Sequence, residues 1–368
     1  MGRVAGGLAG ARICGRVARD ASGIARLAAA GRGDYPPMNA QSAPASQIPS
    51  AVRTSAYVAL GIALLHLIFG AIVRISGSGM GCGNHWPKCY GRWFPPFDRL
   101  DLVVEVLHRY LATILGFAIL MLVFNAWRYR QRLGVGGPGG VWRSSLVALA
   151  LVLAGGSLGA VTVITSNTWW ATVAHLLIAV SLTGVLVVTL VRAGGLGSGA
   201  LRATGIQSRA VGATTAAAVM ALLIVILGGM TAKVQGAAVA CVGFPLCGEG
   251  SLGGGAQHLQ LTHRIIAYLL VLHLCSLPFL FRKRGEPAVL VRLAFIAMGL
   301  GLLQIVWAGW MVMGGFPSVV RSLHQATGIL IWTTTCTLAY AARVAAGRTP
   351  KHESRRAAAR TVVGGAPA

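Results

Sequence analysis

Eight apolar runs dominate this chain of 368 residues. They fall at approximately 56–75, 102–127, 144–164, 170–192, 210–232, 259–281, 293–313 and 319–342. Each approaches or exceeds the roughly 20 residues that a helix needs to cross the hydrocarbon core of a bilayer. A segment alone in lipid must satisfy its own backbone N–H and C=O groups, so each run is expected to be a helix. Hydrophobic types make up 55% of the residues and charged types 11%, less than half the charged share of an ordinary soluble domain. The chain therefore reads as an all-α polytopic membrane protein. A soluble enzyme and a disordered chain are excluded.

The charge is lopsided, with 32 Lys+Arg against 8 Asp+Glu and a formal net charge of +24. In a soluble protein that excess would point to nucleic acid. Here the segments 1–55, 128–143, 192–209, 282–292 and 343–368 hold 24 of the 32 basic residues, all on one side of the span map. The positive-inside rule makes that side cytoplasmic, with both termini inside and the intervening loops outside. The cations report orientation, and no nucleic-acid partner is expected. Residues 1–50 are rich in Ala, Gly and Arg and lack an apolar period. They read as a disordered tail or as translation from an upstream start, with Met38 the alternative start; a transit peptide has similar composition.

The two halves of the membrane part resemble each other. After the first run comes Gly70-Ala-Ile-Val-Arg74-Ile-Ser-Gly77, followed by Cys82 and Cys89; after the fifth comes Gly229-Met-Thr-Ala-Lys233-Val-Gln-Gly236, followed by Cys241 and Cys247. The second run opens Glu105-Val-Leu-His108-Arg109 and the sixth Gln260-Leu-Thr-His263-Arg264, while His175 and His324 open the fourth and eighth. Two repeated four-helix bundles follow, at 55–192 and 210–342. They are joined by a cytoplasmic linker at 193–209 and flanked by the segment 1–54 and a basic tail at 343–368.

Runs two, four, six and eight all begin on the outer side, so their histidines share a depth of roughly 6–9 Å at 1.5 Å per residue. Paired imidazoles at one depth, on helices two apart, suit axial ligation of a heme iron. A lone intramembrane histidine is commonly a satisfied packing residue, but four at repeated positions favour ligation. His66 and His273 have no repeat partner and keep the packing reading; His85 and His258 read as outer-loop residues. Glu105 is the one carboxylate inside a run, three residues before His108 and on its helical face. Its counterpart Gln260 cannot accept a proton, so only the N-terminal half carries a candidate general base; the alternative is a cap paired with Arg109. Arg109 and Arg264 are candidates for heme propionates, with Arg74 and Lys233 as further candidates at the outer edge. The recurrence of paired cysteines in the outer loops favours disulfides; metal binding is the alternative, although no third or fourth thiolate lies nearby. Cys14, Cys275 and Cys336 have no outer-side partner.

Over residues 55–342 the chain resembles the heme A synthase family. The likeness rests on Gly77-Ser-Gly-Met-Gly-Cys82-Gly-Asn-His-Trp-Pro-Lys-Cys89-Tyr-Gly91, on Glu105-x-x-His108-Arg109, and on the repeated His-Arg and paired-Cys pattern. It is similar to the bacterial branch with disulfides Cys82–Cys89 and Cys241–Cys247 in its outer loops, which argues against a transit peptide and implies the bacterial plasma membrane. The resemblance implies oxidation of the C8 methyl of heme O to a formyl group by successive hydroxylations, yielding heme A for terminal oxidases. It implies a heme b cofactor on His263 and His324 with Arg264 at its propionates. Substrate heme O would lie on His108 and His175 beside Arg109, with Glu105 as proton acceptor or positioning group. Heme O synthase and terminal oxidase assembly proteins are the implied partners. A diheme cytochrome b passing electrons would need the same four histidines but not Glu105. The 243–258 loop is unusually Gly-rich, so the cover over the cofactor site is expected to be loose.

Overall fold

Every apolar run becomes a helix, and most of the helices run past the ends of their window. A computed structural model describes residues 48–137, 139–197, 208–251 and 253–346. The N-terminal segment expected to be disordered, most of the 193–209 linker and the basic tail beyond 346 lie outside the described residues. The helices are α1 (Ser50–Ile75), α2 (Leu100–Arg128), α3 (Val141–Ile164), α4 (Trp169–Arg192), α5 (Ser208–Lys233), α6 (Gly255–Lys283), α7 (Ala288–Met313) and α8 (Ser318–Ala346). All eight are long and apolar enough to span a membrane. The apolar window marks only the hydrocarbon core, whereas a helix can continue through the headgroup region. Pro49 and Pro287 immediately precede α1 and α7, where their missing N–H costs no helix hydrogen bond.

Within each half the four helices close a ring, α1–α2–α3–α4 and α5–α6–α7–α8. The buried faces have matching periods. Leu115, Ile119, Leu122 and Ala126 of α2 pack with Val52, Ala56, Ala59 and Ala63 of α1, both at the 4-3-4 spacing of one helical face. In α6 the same spacing recurs as Leu270, Leu274, Leu277 and Phe281. Alanines at these contacts let the backbones approach closely, as association in lipid requires.

The rings meet through α1 with α8, α4 with α8, and α4 with α5. Three polar ties mark this seam from one end of the helices to the other. The Arg74 guanidinium donates to Gln325 Oε1. The Trp332 indole N–H donates to the Val180 carbonyl at 3.0 Å. Arg192 Nε donates to the Tyr340 hydroxyl at 2.7 Å. Gly184 makes the middle tie possible, because a Cβ there would stand 3.3 Å from Trp332 Cζ2.

One register differs from the sequence alignment. Gly70 packs against His108, but its counterpart against His263 is Gly228, not the motif-matched Gly229. Arg74 therefore follows its packing glycine by four residues and Lys233 by five, which turns the lysine about 100° round its helix.

Gly184→Leu is expected to drive Trp332 from Val180 and to lower stability by about 1–3 kcal/mol, the usual cost of overpacking, read as a lower thermal midpoint of the purified protein. Gly184→Ala should cost less. An unchanged midpoint for the leucine variant would contradict this account of the seam.

Candidate functional site

The repeat places the histidines at matched positions. His108 and His263 are the ninth residues of α2 and α6, and His175 and His324 the seventh of α4 and α8. Three of the four rings lie against glycine. A Cβ at Gly70 would stand 3.0 Å from His108 Cε1, one at Gly228 3.1 Å from His263 Cε1, and one at Gly159 3.4 Å from His175 Cε1. Any larger residue at Gly70 or Gly228 would push the imidazole aside.

The segment Glu105-x-x-His108-Arg109 divides its work by helical position. Residues four apart share a face, and Glu105 and Arg109 both turn toward the Cys82–Cys89 loop. Glu105 is buried; its Oε2 accepts the Cys82 backbone N–H at 2.8 Å, and its Oε1 accepts from the Arg109 guanidinium. Arg109 also donates to the carbonyls of His85 and Pro87, both at 2.9 Å. The pairing with Arg109 weighed as the alternative role for Glu105 is thus present. In the other half Gln260 Oε1 accepts the Cys241 N–H at 2.6 Å, so glutamate and glutamine hold the first cysteine of each loop in the same way.

Arg264 is buried, with Nη1 donating to the carbonyls of Gly243 at 2.8 Å and Leu246 at 3.1 Å, and Nη2 to that of Cys241 at 3.2 Å. Tyr268 adds a hydrogen bond to Pro245 at 2.6 Å, and Phe244 lies edge-on to its ring. The Gly-rich loop, expected to be loose, is pinned by these bonds. Both loops close as disulfides, Cys82–Cys89 and Cys241–Cys247, with Cα–Cα distances of 4.9 and 4.6 Å; Cys275 and Cys336 are free. Each loop starts from a glycine in the left-handed region, Gly77 at φ 76° and Gly236 at φ 74°, which explains the second glycine of each repeat.

A cavity of about 660 Å³ occupies the N-terminal half, lined by His108, His175, Glu105, Arg109 and Cys89 and by the glycines 155, 156 and 159 of α3. That volume suits a large organic ligand. In the C-terminal half, by the same offset that relates His175 to His324, Gly155 is replaced by Gln304. Its amide nitrogen lies 3.3 Å from His324 Nε2 and donates to the His324 carbonyl at 3.0 Å.

Sequence reasoning missed His66. Its ring stacks on His108 with centroids 4.2 Å apart and planes within 7°, it lines the cavity, and its Nε2 is buried without a hydrogen-bond partner. No repeat partner marked it, and the α1–α2 register needed to see the stack is not written in the sequence. His273, by contrast, is a satisfied packing residue whose Nε2 meets the Ala213 carbonyl at 2.9 Å. His85 lies against Tyr90 in the α1–α2 loop, and His258 is exposed.

The donor set fits an iron porphyrin. Buried Nδ1 atoms of His108 and His324 have no protein partner, and the glycines leave room beside the rings. Among the described residues no three His, Cys, Asp or Glu side chains gather around one point to hold an ion directly. Paired imidazoles instead suit an iron whose remaining ligands come from a macrocycle.

A family profile described as Cytochrome oxidase assembly protein (COX15-CtaA) matches residues 53–336. The chain is 30% identical over 278 residues to a protein named Heme A synthase from an Exiguobacterium species, covering 73% of this chain and 86% of the relative. It is 30% identical over 252 residues to the Heme A synthase of Shouchella clausii, covering 67% and 81%. It is 29% identical over 226 residues to that of Alkalihalophilus pseudofirmus, covering 61% and 73%.

Gln260→Leu leaves the buried Cys241 N–H without an acceptor, a cost of about 1–3 kcal/mol. Under limiting reductant, Cys241 and Cys247 should then become accessible to a thiol label faster than in the unaltered protein, with Cys82 and Cys89 unchanged. Equal labelling rates would show that the amide does not hold the loop.

Proposed function

This chain belongs to the cytochrome oxidase assembly protein family COX15-CtaA, and on that premise we propose that it is a heme A synthase, an oxidoreductase converting heme O to heme A. The observation that carries the assignment of the halves is the contrast between matched histidine pairs. The N-terminal pair opens onto a glycine-lined cavity of about 660 Å³, whereas His324 has the Gln304 amide beside its Nε2. A roomy site suits a substrate that enters and leaves, and a closely furnished one suits a resident group.

His108 and His175 would receive heme O, and His263 and His324 would hold a heme b whose contribution is one-electron transfer. The C8 methyl would be hydroxylated twice, a four-electron oxidation whose electrons pass to an external acceptor, with loss of water from the gem-diol leaving the formyl. Glu105 would act as proton acceptor or positioning group at the cavity wall, its carboxylate oriented by Arg109 and the Cys82 N–H. Arg109 and Arg264 would serve their hemes mainly by clamping the disulfide loops, since their donors already meet loop carbonyls; direct contact of Arg264 with a propionate would require some of these bonds to be released. The N-terminal bundle (55–192) would be the substrate half and the C-terminal bundle (210–342) the cofactor half. A bacterial plasma-membrane location with cytoplasmic termini, and partnership with heme O synthase and the terminal oxidase assembly machinery, complete the proposal.

The pairing of Gln260 with Cys241 supplies the decisive variant. Glu105→Gln should preserve the loop contact, as glutamine does in the other half, while removing the carboxylate. Supplied with heme O, this variant should still bind heme but form heme A at least about 100-fold more slowly, the lower range of a lost general base; heme extraction and chromatography read the products. Full conversion would overturn the chemical role of the carboxylate. Two permanently bound b hemes with no side-chain oxidation in the unaltered protein would instead indicate an electron-transfer cytochrome.

A further inference from the structure

Resting on the heme reading above, we propose that the substrate cavity is completed across the seam, with Arg74 of the N-terminal half and Lys233 of the C-terminal half binding the two propionate carboxylates of the substrate heme. Both cations line the large cavity. Both also line a recess of about 110 Å³ that continues from it into the seam, where Gly229 and Gln325 of the C-terminal half meet His108 and His175.

Among the described residues neither cation has an anionic partner. The ion pairs among the described residues are Arg99–Asp101 and Arg109–Glu105, and the guanidinium of Arg74 is held by the neutral amide of Gln325. Both are partly buried and stand in the last turns of spanning helices, where the helix dipole offers a cation only modest support. An unpaired cation withdrawn from water is costly, so two of them facing one cavity make a site for a dianion. The carboxylate on the cavity wall, Glu105, is already taken by Arg109 and the Cys82 N–H. Arg109 and Arg264 are taken by loop carbonyls. The remaining charge in the cavity is therefore positive, and it matches a porphyrin that carries two propionates.

The one-residue shift in α5 is what brings the lysine in. Arg74 follows its histidine-packing glycine by four residues and Lys233 by five, and the resulting turn of about 100° accompanies its position on the cavity of the opposite half. The C-terminal half thus supplies one of the two charges that orient the substrate, which makes the halves interdependent in binding.

A ligand-and-protein cycle tests this directly. Heme O and its dimethyl ester are titrated into the holoprotein, with the resident heme spectrum as the measure of intact folding and His108→Ala identifying binding at the substrate site. The free acid should bind the unaltered protein far more tightly than the diester. Lys233→Met and Arg74→Met should each weaken the free acid about tenfold, the scale of one charge-assisted hydrogen bond, while leaving the diester nearly unchanged. The double variant should bind both forms alike. A preference for the free acid that persists in the double variant, or an equal weakening of both ligands in either single variant, overturns the proposal. Absence of any His108-dependent heme binding in the unaltered protein would instead overturn the heme reading on which it rests.

Discussion

Every polar side chain carried into a bilayer must be met inside the protein, because lipid offers neither donors nor acceptors. Much of this architecture follows from how that requirement is met. Glu105 and Gln260 are met by the backbone of the disulfide loops, and Arg109 and Arg264 by loop carbonyls. Arg74, Trp332 and Arg192 are met across the seam. Among the buried polar atoms left without a partner are ring nitrogens of His66, His108 and His175, which line the large cavity where a heme would complete them.

The two rings share one helix order and matched histidine positions, and small substitutions distinguish them. The position that is Gly155 in one half is Gln304 in the other, which changes open space into an amide beside His324. The position that is Glu105 in one half is Gln260 in the other, and both keep the same bond to a cysteine N–H. The first substitution alters room and the second alters proton chemistry, while the loop architecture stays constant. A shift of one residue in α5 adds a third difference by turning Lys233 toward the neighbouring half.

The helices and the histidine pairs were legible in the sequence because both depend on local periodicity. The apolar windows located all eight spans, with ends up to six residues short of the helices, and the His-Arg repeats fall at the same position, the ninth and tenth residues, of α2 and α6. The offset between Leu115 and Leu270 is the same as that between His108 and His263, so core and site follow one alignment through these helices. The contacts between elements were not legible. A glutamate three residues before a histidine reads as chemistry, and its bond to Cys82 depends on how a loop folds back; the retained acceptor at Gln260 was the available signal. The stack of His66 on His108 depends on the rotation of α1 against α2, and the alignment through Gly229 concealed the true packing glycine, Gly228. The looseness expected of the 243–258 loop was drawn from its glycines and overlooked Phe244 and the hold that Arg264 and Tyr268 exert on it.

The central claim is that the two histidine pairs have separate occupants, a resident heme in the C-terminal half and an exchangeable one in the N-terminal half. The direct measurement is heme content and low-spin absorbance of protein purified from cells that make heme b but no heme O, comparing the unaltered chain with His108→Ala and His263→Ala. The account predicts a full complement of tightly bound low-spin heme b in the unaltered protein and in His108→Ala, and its loss in His263→Ala. Loss of that heme in His108→Ala with retention in His263→Ala would contradict the account.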